Sequence, residues 1–239
     1  MLQLSKRLQA VAAMVPNGKT IVDIGTDHAQ LLISLVQQQK ITRAIGIELT
    51  DGPFANACRQ LVRHNCRDRV EIRQGDGLQP LRPGEAELAV ISGLGGNAII
   101  RILEESSEVV ATLQHMIIQP MGQVGEVRAW LGHQGWRIEK EELIREGGHF
   151  YVIISAVPTG TAITLTDLEL EIGPKLLSTR HPLLESYILR KLQQQRTILQ
   201  QLANSRLFSC ADKAQAIQNR IVRWEAVLDE IAEEAADAE

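Results

Sequence analysis

The stretch "IVDIGTDHA" (residues 21–29) decides the fold. An apolar run ends in Asp23 and a glycine follows at once, the way an inner strand of an α/β sheet hands over to a ligand-facing turn. Where such a turn cradles phosphates, small residues continue it. Here Asp27 and His28 stand in their place, so the turn carries an acid and an imidazole at its mouth.

On both sides of this stretch short β-rich runs alternate with helical ones. "TIVDIG" (20–25), "RAIGIEL" (43–49), "RVEIR" (69–73), "ELAVIS" (87–92) and "HMIIQ" (115–119) read as strands, and 28–38, 52–65, 96–104 and 123–133 as helices. Strand-helix alternation requires crossovers, which predicts a mostly parallel sheet covered on both faces. "WRIEKEELIRE" (136–146) and "HFYVIISAV" (149–157), with "GG" between them, predict a hairpin that supplies an antiparallel edge. Ahead of the first strand, Leu4, Leu8, Val11 and Val15 recur at helical spacing. They mark an amphipathic first helix rather than a cleavable leader.

Three acids fall at the ends of three successive strands. Asp23 closes the first, Glu48 lies 25 positions further on at the end of the second, and Asp76, in "GDGL", follows the third. Any one of them alone reads equally well as a cap or turn former. Together they converge on the edge where open α/β sheets bind ligands. A carboxylate at Glu48 suits two ribose hydroxyls, and one at Asp76 suits the exocyclic amine of a purine. Asp27 and His28 would press charge and bulk against a pyrophosphate, which disfavours a dinucleotide. S-adenosylmethionine carries an ammonium, a carboxylate and a sulfonium but no phosphate. The acids suit its cationic groups, and backbone N–H groups of the turn suit its carboxylate. The residues expected to line that site are Asp23, Gly25, Thr26, Asp27, His28, Glu48, Leu49, Asp76, Gly77, Ser92 and Gly93.

"DIGTDHA", "GIEL" followed by "GPF", "GDGL" and "SGLGG" (92–96) closely resemble the bacterial tRNA adenine-N1 methyltransferases that act at position 22 of tRNA. The likeness runs on through "LRPGE", "QP" (119–120), "GW" (135–136), "GGHFYVI" and "LELEIGPKLL" (168–177), and so covers nearly the whole chain. Leu94 stands where that family carries Met, a near-isosteric apolar exchange. The resemblance implies a Rossmann-like class I methyltransferase domain followed by a coiled-coil-like helical domain. It also implies formation of 1-methyladenosine in tRNA.

The residues agree with that chemistry. Adenine N1 has an in-plane lone pair, so no proton need be removed before attack. The reaction needs alignment and tolerance of the positive charge that develops on the ring. Asp27, Gly93 and Gly95 are the candidates for this part of the site, with backbone carbonyls of 92–96 accepting from the adenine amine and Asp27 near the developing charge. His28 reads first as a residue that fixes the loop and second as one that touches the base. Because N1 lies on the pairing edge, the target base must be unpaired or extruded.

After Val157, "PTGTAIT" reads as a linker, and two helices follow. One carries Leu184, Ile188, Leu192, Leu199 and Leu202, the other Ile217, Ile221, Trp224, Leu228 and Ile231. A turn between them holds Ser209 and Asp212 as a capping pair. The expected domains are 1–160, binding the cofactor, and 161–239, an antiparallel helical hairpin. From Lys175 to Arg223 nine Lys/Arg oppose only Glu185 and Asp212, a net of +7, whereas Glu225–Glu239 holds seven acids and no base. Such a block suits an RNA partner or is simply a solvated face. Arg190, Lys191 and Arg196 here, with Arg59, Arg63 and Arg67 in the first domain, are the expected phosphate contacts. Eight aromatic residues in the chain are too few for extended base stacking, so recognition would rest on phosphates and shape.

Cys58, Cys66 and Cys210 lack metal-type spacing and fit ordinary thiols of a reducing cytoplasm. No metal and no membrane span is expected, and a monomer is favoured. Two rival readings stay open on the residues alone: a small-molecule methyltransferase, and a non-catalytic RNA-binding or assembly module.

Overall fold

The inner residues of β1 (Lys19–Ile24) are closed to water: Ile21, Val22 and Ile24 are at most 3% exposed. A strand buried on both faces requires parallel neighbours and helices above and below it. The structure, a computed structural model, describes residues 2–203 and 211–237 and shows this arrangement. After α1 (Lys6–Met14) and β1 come α2 (Gln30–Gln37), β2 (Ile41–Glu48), α3 (Asp51–Arg63), β3 (Val70–Gln74) and β4 (Leu88–Leu94). Then follow α4 (Gly96–Glu104), α5 (Ser107–Val110), β5 (His115–Pro120), α6 (Val124–His133), β6 (Trp136–Glu146) and β7 (His149–Pro158). The sheet order is β3-β2-β1-β4-β5-β7-β6, with β1 to β5 parallel and β7 antiparallel to both β5 and β6. The expected seven-stranded Rossmann-like sheet is therefore present. β1 to β3 progress one way and β4 to β5 the other. Right-handed crossovers then place α2 and α3 on one face and α4 on the opposite one. The reversal between β1 and β4 opens a crevice at the carboxyl edge of the strands.

Two local departures from the sequence pattern bear on that crevice. The helix expected over 28–38 begins only at Gln30, because Asp27 (φ 51°) and Ala29 (φ 53°) take left-handed backbone. The strand expected over 87–92 runs on to Leu94, but Gly93 (φ 84°) bulges out of the ladder and pairing resumes at Leu94 with Pro120. A glycine in left-handed conformation is what such a bulge requires. The hairpin glycines Gly147 (φ 57°) and Gly148 (φ 79°) satisfy a two-residue turn with positive φ at both positions.

The chain divides into the units Met1–Leu165 and Thr166–Glu239. The "PTGTAIT" strip stays with the first unit because Thr159 N–H donates to Gly135 O (2.7 Å) and Ile163 N–H to Gly132 O (2.8 Å). Thr166 then opens α7 (Asp167–Glu171) with a capping box to Glu169, and α8 (Pro174–Ser178) follows.

In the second unit α9 (Leu184–Ala203) and α10 (Ala211–Asp237) pack together. Arg180, just ahead of α9, meets Glu234 near the end of α10, and Arg196, further along α9, meets Glu225, so the two run antiparallel. Leu184, Ile188, Leu192, Ile217, Ile221 and Trp224 are buried as expected, with Val227 rather than Leu228 as the next buried position. The expected turn around Ser209, with Cys210, lies outside the described residues.

The charge segregation seen along the sequence does not survive folding. Arg180 pairs with Glu230 and Glu234, Arg196 with Glu225, and Arg220 and Arg223 with Glu171. Lys191 sits over the rings of Tyr187 and Trp224 and donates to Glu171 O at 2.8 Å. Four of the nine bases in the +7 block are thus ion-paired within the unit, two of them to the acids that followed in sequence. Lys191 and Arg196, expected as phosphate contacts, also make contacts within the helical unit. Glu171 is the knot: besides the two arginines, Trp224 Nε1 donates to its carboxylate at 2.9 Å. The two arginines stay more than a third exposed, so solvent softens the loss, and removing the carboxylate costs about 1–2 kcal/mol. Glu171→Ala is expected to lower the urea midpoint of the α9–α10 unit, read from Trp224 fluorescence with Trp130 and Trp136 replaced by Phe. An unchanged midpoint would make the network ornamental.

Candidate active site

The carboxyl edge is built by the first two strands and the turn that joins them. Gly25 (φ 70°) and Thr26 turn back so that both N–H groups donate to Ile47 O, at 2.9 and 3.3 Å. Asp27 N–H donates to the Glu48 carboxylate, and Ala29 N–H donates to Thr26 O at 2.8 Å. The turn is therefore fastened to the end of β2. Two non-glycine residues in left-handed conformation within three positions are costly and persist only where the surroundings enforce them, typically at ligand sites. Four turn N–H groups are already donated. The expectation that the turn's amides meet a ligand carboxylate therefore loses most of its donors.

Asp23 is 5% exposed and accepts from Thr26 Oγ1 at 2.7 Å. Burial pushes its carboxyl up to about 7, with the Thr26 hydroxyl pulling it down and the nearby Glu48 charge adding to the rise. Glu48 is 8% exposed, and apart from the Asp27 amide it has no hydrogen-bond partner among the described residues. Leu49 beside it is exposed. Asp76 lies at the end of the third strand, as expected, and meets Arg101 of α4 at 3.3 Å. Gly77 (φ 56°) packs so closely that a Cβ would come within 2.8 Å of Ile102.

His28 Nδ1 is bonded to Asn56 Nδ2 of α3. With the amide donating, Nδ1 accepts and the ring proton lies on Nε2, which points toward Asp27 Oδ2 at 3.4 Å. The imidazole thus braces the turn against α3.

The glycines of "SGLGG" have three different reasons. Gly93 forms the bulge. Gly96 lies against the carbonyls of Gly122 and Gln123, where a Cβ would meet them at 2.8 and 2.7 Å. Gly95 (φ −66°) has ordinary backbone as the N-cap of α4. Among the loop carbonyls, Leu94 O accepts from Met121 N–H and Gly95 O from Ile99 N–H.

A cleft of about 300 Å³ opens here, lined by Asp23, Gly25, Thr26, Asp27, His28 and Ser92 from the expected set. Sequence reading missed its other wall, Ser5, Arg7 and Leu8 of the first helix. The signal was present: Arg7 lies three positions after Leu4 and four before Val11, a charge on the apolar stripe of α1. Glu48, Leu49, Asp76 and Gly77 lie along the same edge beyond this cleft, at the ends of β2 and β3. Arg59, Arg63 and Arg67 are exposed and make no ion pair among the described residues. α3 carries Arg63 about 18 Å away from its start at Asp51, toward the edge where the parallel strands begin. Those arginines therefore lie away from the cleft rather than around it.

An acid-rim cleft at a switch point, without a phosphate-binding glycine loop, matches a methyl-donor site better than a dinucleotide site. Comparisons with known proteins agree. A family described as "Methyltransferase domain" matches residues 4–154. The tRNA (adenine(22)-N(1))-methyltransferase of Bacillus subtilis is 33% identical over 208 residues, covering 85% of this chain and 87% of that protein. The crystal structure of the B. subtilis M1A22 tRNA methyltransferase TrmK superposes with a TM-score of 0.86 at 31% identity, over 95% of this chain and 100% of that one. The M. capricolum TrmK, solved in complex with S-adenosylhomocysteine, superposes at 0.80 with 27% identity, over 95% and 98% of the two chains. Matched along nearly its whole length in both sequence and fold, the chain belongs to the tRNA (adenine(22)-N(1))-methyltransferase family.

Proposed function

We propose that this protein transfers a methyl group from S-adenosylmethionine to N1 of adenine 22 in tRNA. The observation that carries the reading is the pair Asp23 and Asp27 in one cleft at the carboxyl edge, with the Glu48 carboxylate bonded to the Asp27 amide beside it, in a chain of this family. The cofactor, when bound, supplies an electrophilic methyl group on a sulfonium. Asp23 and Asp27 suit its cationic amino-acid end, and the unpartnered side of Glu48 suits the ribose hydroxyls. Leu49, Asp76 and Gly77 suit the adenine. The cofactor-binding domain is assigned to 1–160 and the helical domain to 161–239, a division that the unit boundary at Leu165/Thr166 supports.

The target adenine needs no base. The bulge at Gly93 brings backbone to the cleft without a side chain in the way. With the Leu94 and Gly95 carbonyls occupied and Gly96 inside α4, Ser92 and Gly93 remain to accept from the adenine amine. Asp27 stands exposed at the mouth, where it would face the charge that develops on the methylated ring. His28 holds the turn. We assign RNA phosphate contacts first to Arg59, Arg63 and Arg67, whose charges are uncompensated, and in the helical unit to Arg190 before Lys191 or Arg196. A monomer acting in the cytoplasm fits a tRNA substrate. No described helix is long and apolar enough to cross a membrane, and the described residues contain no metal-type cluster of His, Cys, Asp or Glu.

The deciding experiment is incubation with labelled S-adenosylmethionine and unmodified tRNA, followed by mapping of the product. Label is expected as 1-methyladenosine at position 22. Label in a small molecule, or none at all, would favour the rival readings. Glu48→Ala should weaken cofactor binding by about tenfold or more, since charge-assisted hydrogen bonds contribute roughly 1.5–3 kcal/mol each. An unchanged Kd in a folded variant would remove Glu48 from the site. His28→Ala should keep measurable turnover. Its complete loss, with cofactor affinity intact, would make His28 catalytic.

Asp23 predicts a pH dependence. Its folded value of about 7 lies above the ordinary 3.8, so between those values the folded protein holds a proton that the unfolded chain has released. The sign follows: this group's contribution to stability is greatest at low pH, falls as pH rises through that window, and levels off above about 7. Without cofactor, Asp23→Asn is therefore expected to gain thermal stability relative to the wild type as pH rises from 5 to 8. Cofactor affinity should run the other way in the wild type, strengthening through pH 7 as the carboxyl ionises to meet an ammonium. It should lose that slope in Asp23→Asn. Parallel titrations of both proteins by calorimetry would check this.

A further inference from the structure

Arg7 is a half-buried cation without a counter-charge. Its Nη1 donates to Ser92 Oγ at 2.8 Å and to Gln119 Oε1 at 2.7 Å, and its guanidinium lies 5.8 Å from the centre of the Tyr151 ring. All three neighbours are neutral, and Gln119 is fully buried. Among the described residues no carboxylate comes within ion-pair distance of Arg7, and Nε and Nη2 make no hydrogen bond. The other arginines withdrawn from solvent in the sheet unit are treated differently. Arg73 is held by Glu71 and Glu85, and Arg128 by Glu141. A guanidinium drawn out of water and left unpaired is unfavourable unless an anion completes it.

Arg7 shares its cleft with two acids. Asp23 and Asp27 line it, and the amides of Gly25, Thr26, Asp27 and Ala29 are already donated within the protein. An amino-acid group placed there would find partners for its ammonium but few backbone donors for its carboxylate. Arg7 lines the same cleft, and its Nε/Nη2 edge, unbonded among the described residues, is the fork that grips a carboxylate with two parallel hydrogen bonds.

We propose that Arg7 binds the carboxylate of the amino-acid part of S-adenosylmethionine, so that the first helix of the chain closes the cofactor site. This rests on the cofactor reading above. It makes α1 a part of the site rather than a cover for the sheet. Ser92 and Gln119 become positioning residues that fix the guanidinium from behind.

The test uses the full-length protein and two ligands, S-adenosylhomocysteine and its decarboxylated analogue, which keeps the adenosine, the thioether and the ammonium. Isothermal titration should show the wild type binding S-adenosylhomocysteine about tenfold or more tighter than the analogue, the scale of a charge-assisted pair. Arg7→Gln should lose that preference and bind both ligands about as the wild type binds the analogue. Arg7→Lys, which keeps the charge and the packing, should restore part of the gap. The proposal is overturned if Arg7→Gln keeps the preference. It is equally overturned if Arg7→Gln or Arg7→Lys weakens both ligands by one factor, because Arg7 then only props α1 against β4 and β5. Unchanged ligand affinities with weaker, less salt-dependent tRNA binding would assign Arg7 to an RNA phosphate and also overturn it. A wild type that binds neither ligand would instead bring down the cofactor reading itself, and this proposal with it.

Discussion

The hydrogen bond from the Asp27 amide to the Glu48 carboxylate joins the ends of the first two strands, and the geometry of the site depends on it. It can form only because Asp27 and Ala29 accept left-handed backbone, which delays the start of α2 by two residues and throws the turn outward over the sheet edge. The same bond spends an amide that would otherwise face a ligand. The site is therefore more acidic and poorer in backbone donors than a phosphate-binding turn, in keeping with a ligand that carries cationic groups.

That shortage of donors gives a reason for two other features. Asp23 is buried deeply enough to hold a proton near neutrality, which lowers the cost of keeping it beside Glu48 until a cation arrives. Arg7 reaches into the cleft from α1 and is steadied by Ser92 and Gln119, the last residues of β4 and β5 before the bulge at Gly93 and the strand end at Pro120. One short segment of backbone thus serves both the cofactor side and the base side of the crevice.

The helical unit follows a different logic. Its cohesion comes from Glu171, whose carboxylate and carbonyl collect Arg220, Arg223, Trp224 and Lys191 from the two long helices. The acidic end of α10 folds back along α9 and compensates Arg180 and Arg196. Charge that looked available for RNA is largely committed to holding the unit together. The uncompensated arginines lie instead on α3 and just after it, which moves the electrostatic footprint toward the first unit.

Sequence alone determined the sheet, the hairpin, the crossover helices and the three acids at strand ends. Those features are written in local patterns: burial on both faces makes continuous apolar runs, glycine pairs make tight turns, and strand ends occupy fixed positions in a βα unit. Stripe positions such as Ile188 and Trp224 were legible for the same reason. The pairing of Asp27 with Glu48, the brace from Asn56 to His28, the bulge at Gly93, the partners of Lys191 and the reach of Arg7 were decided only by tertiary structure. Each joins residues from different elements, or depends on a backbone φ that composition does not reveal. Electrostatic partners in particular are not legible along the chain, because a charge acts on whatever lies within a few ångströms in space, whereas sequence records only its neighbours along the backbone.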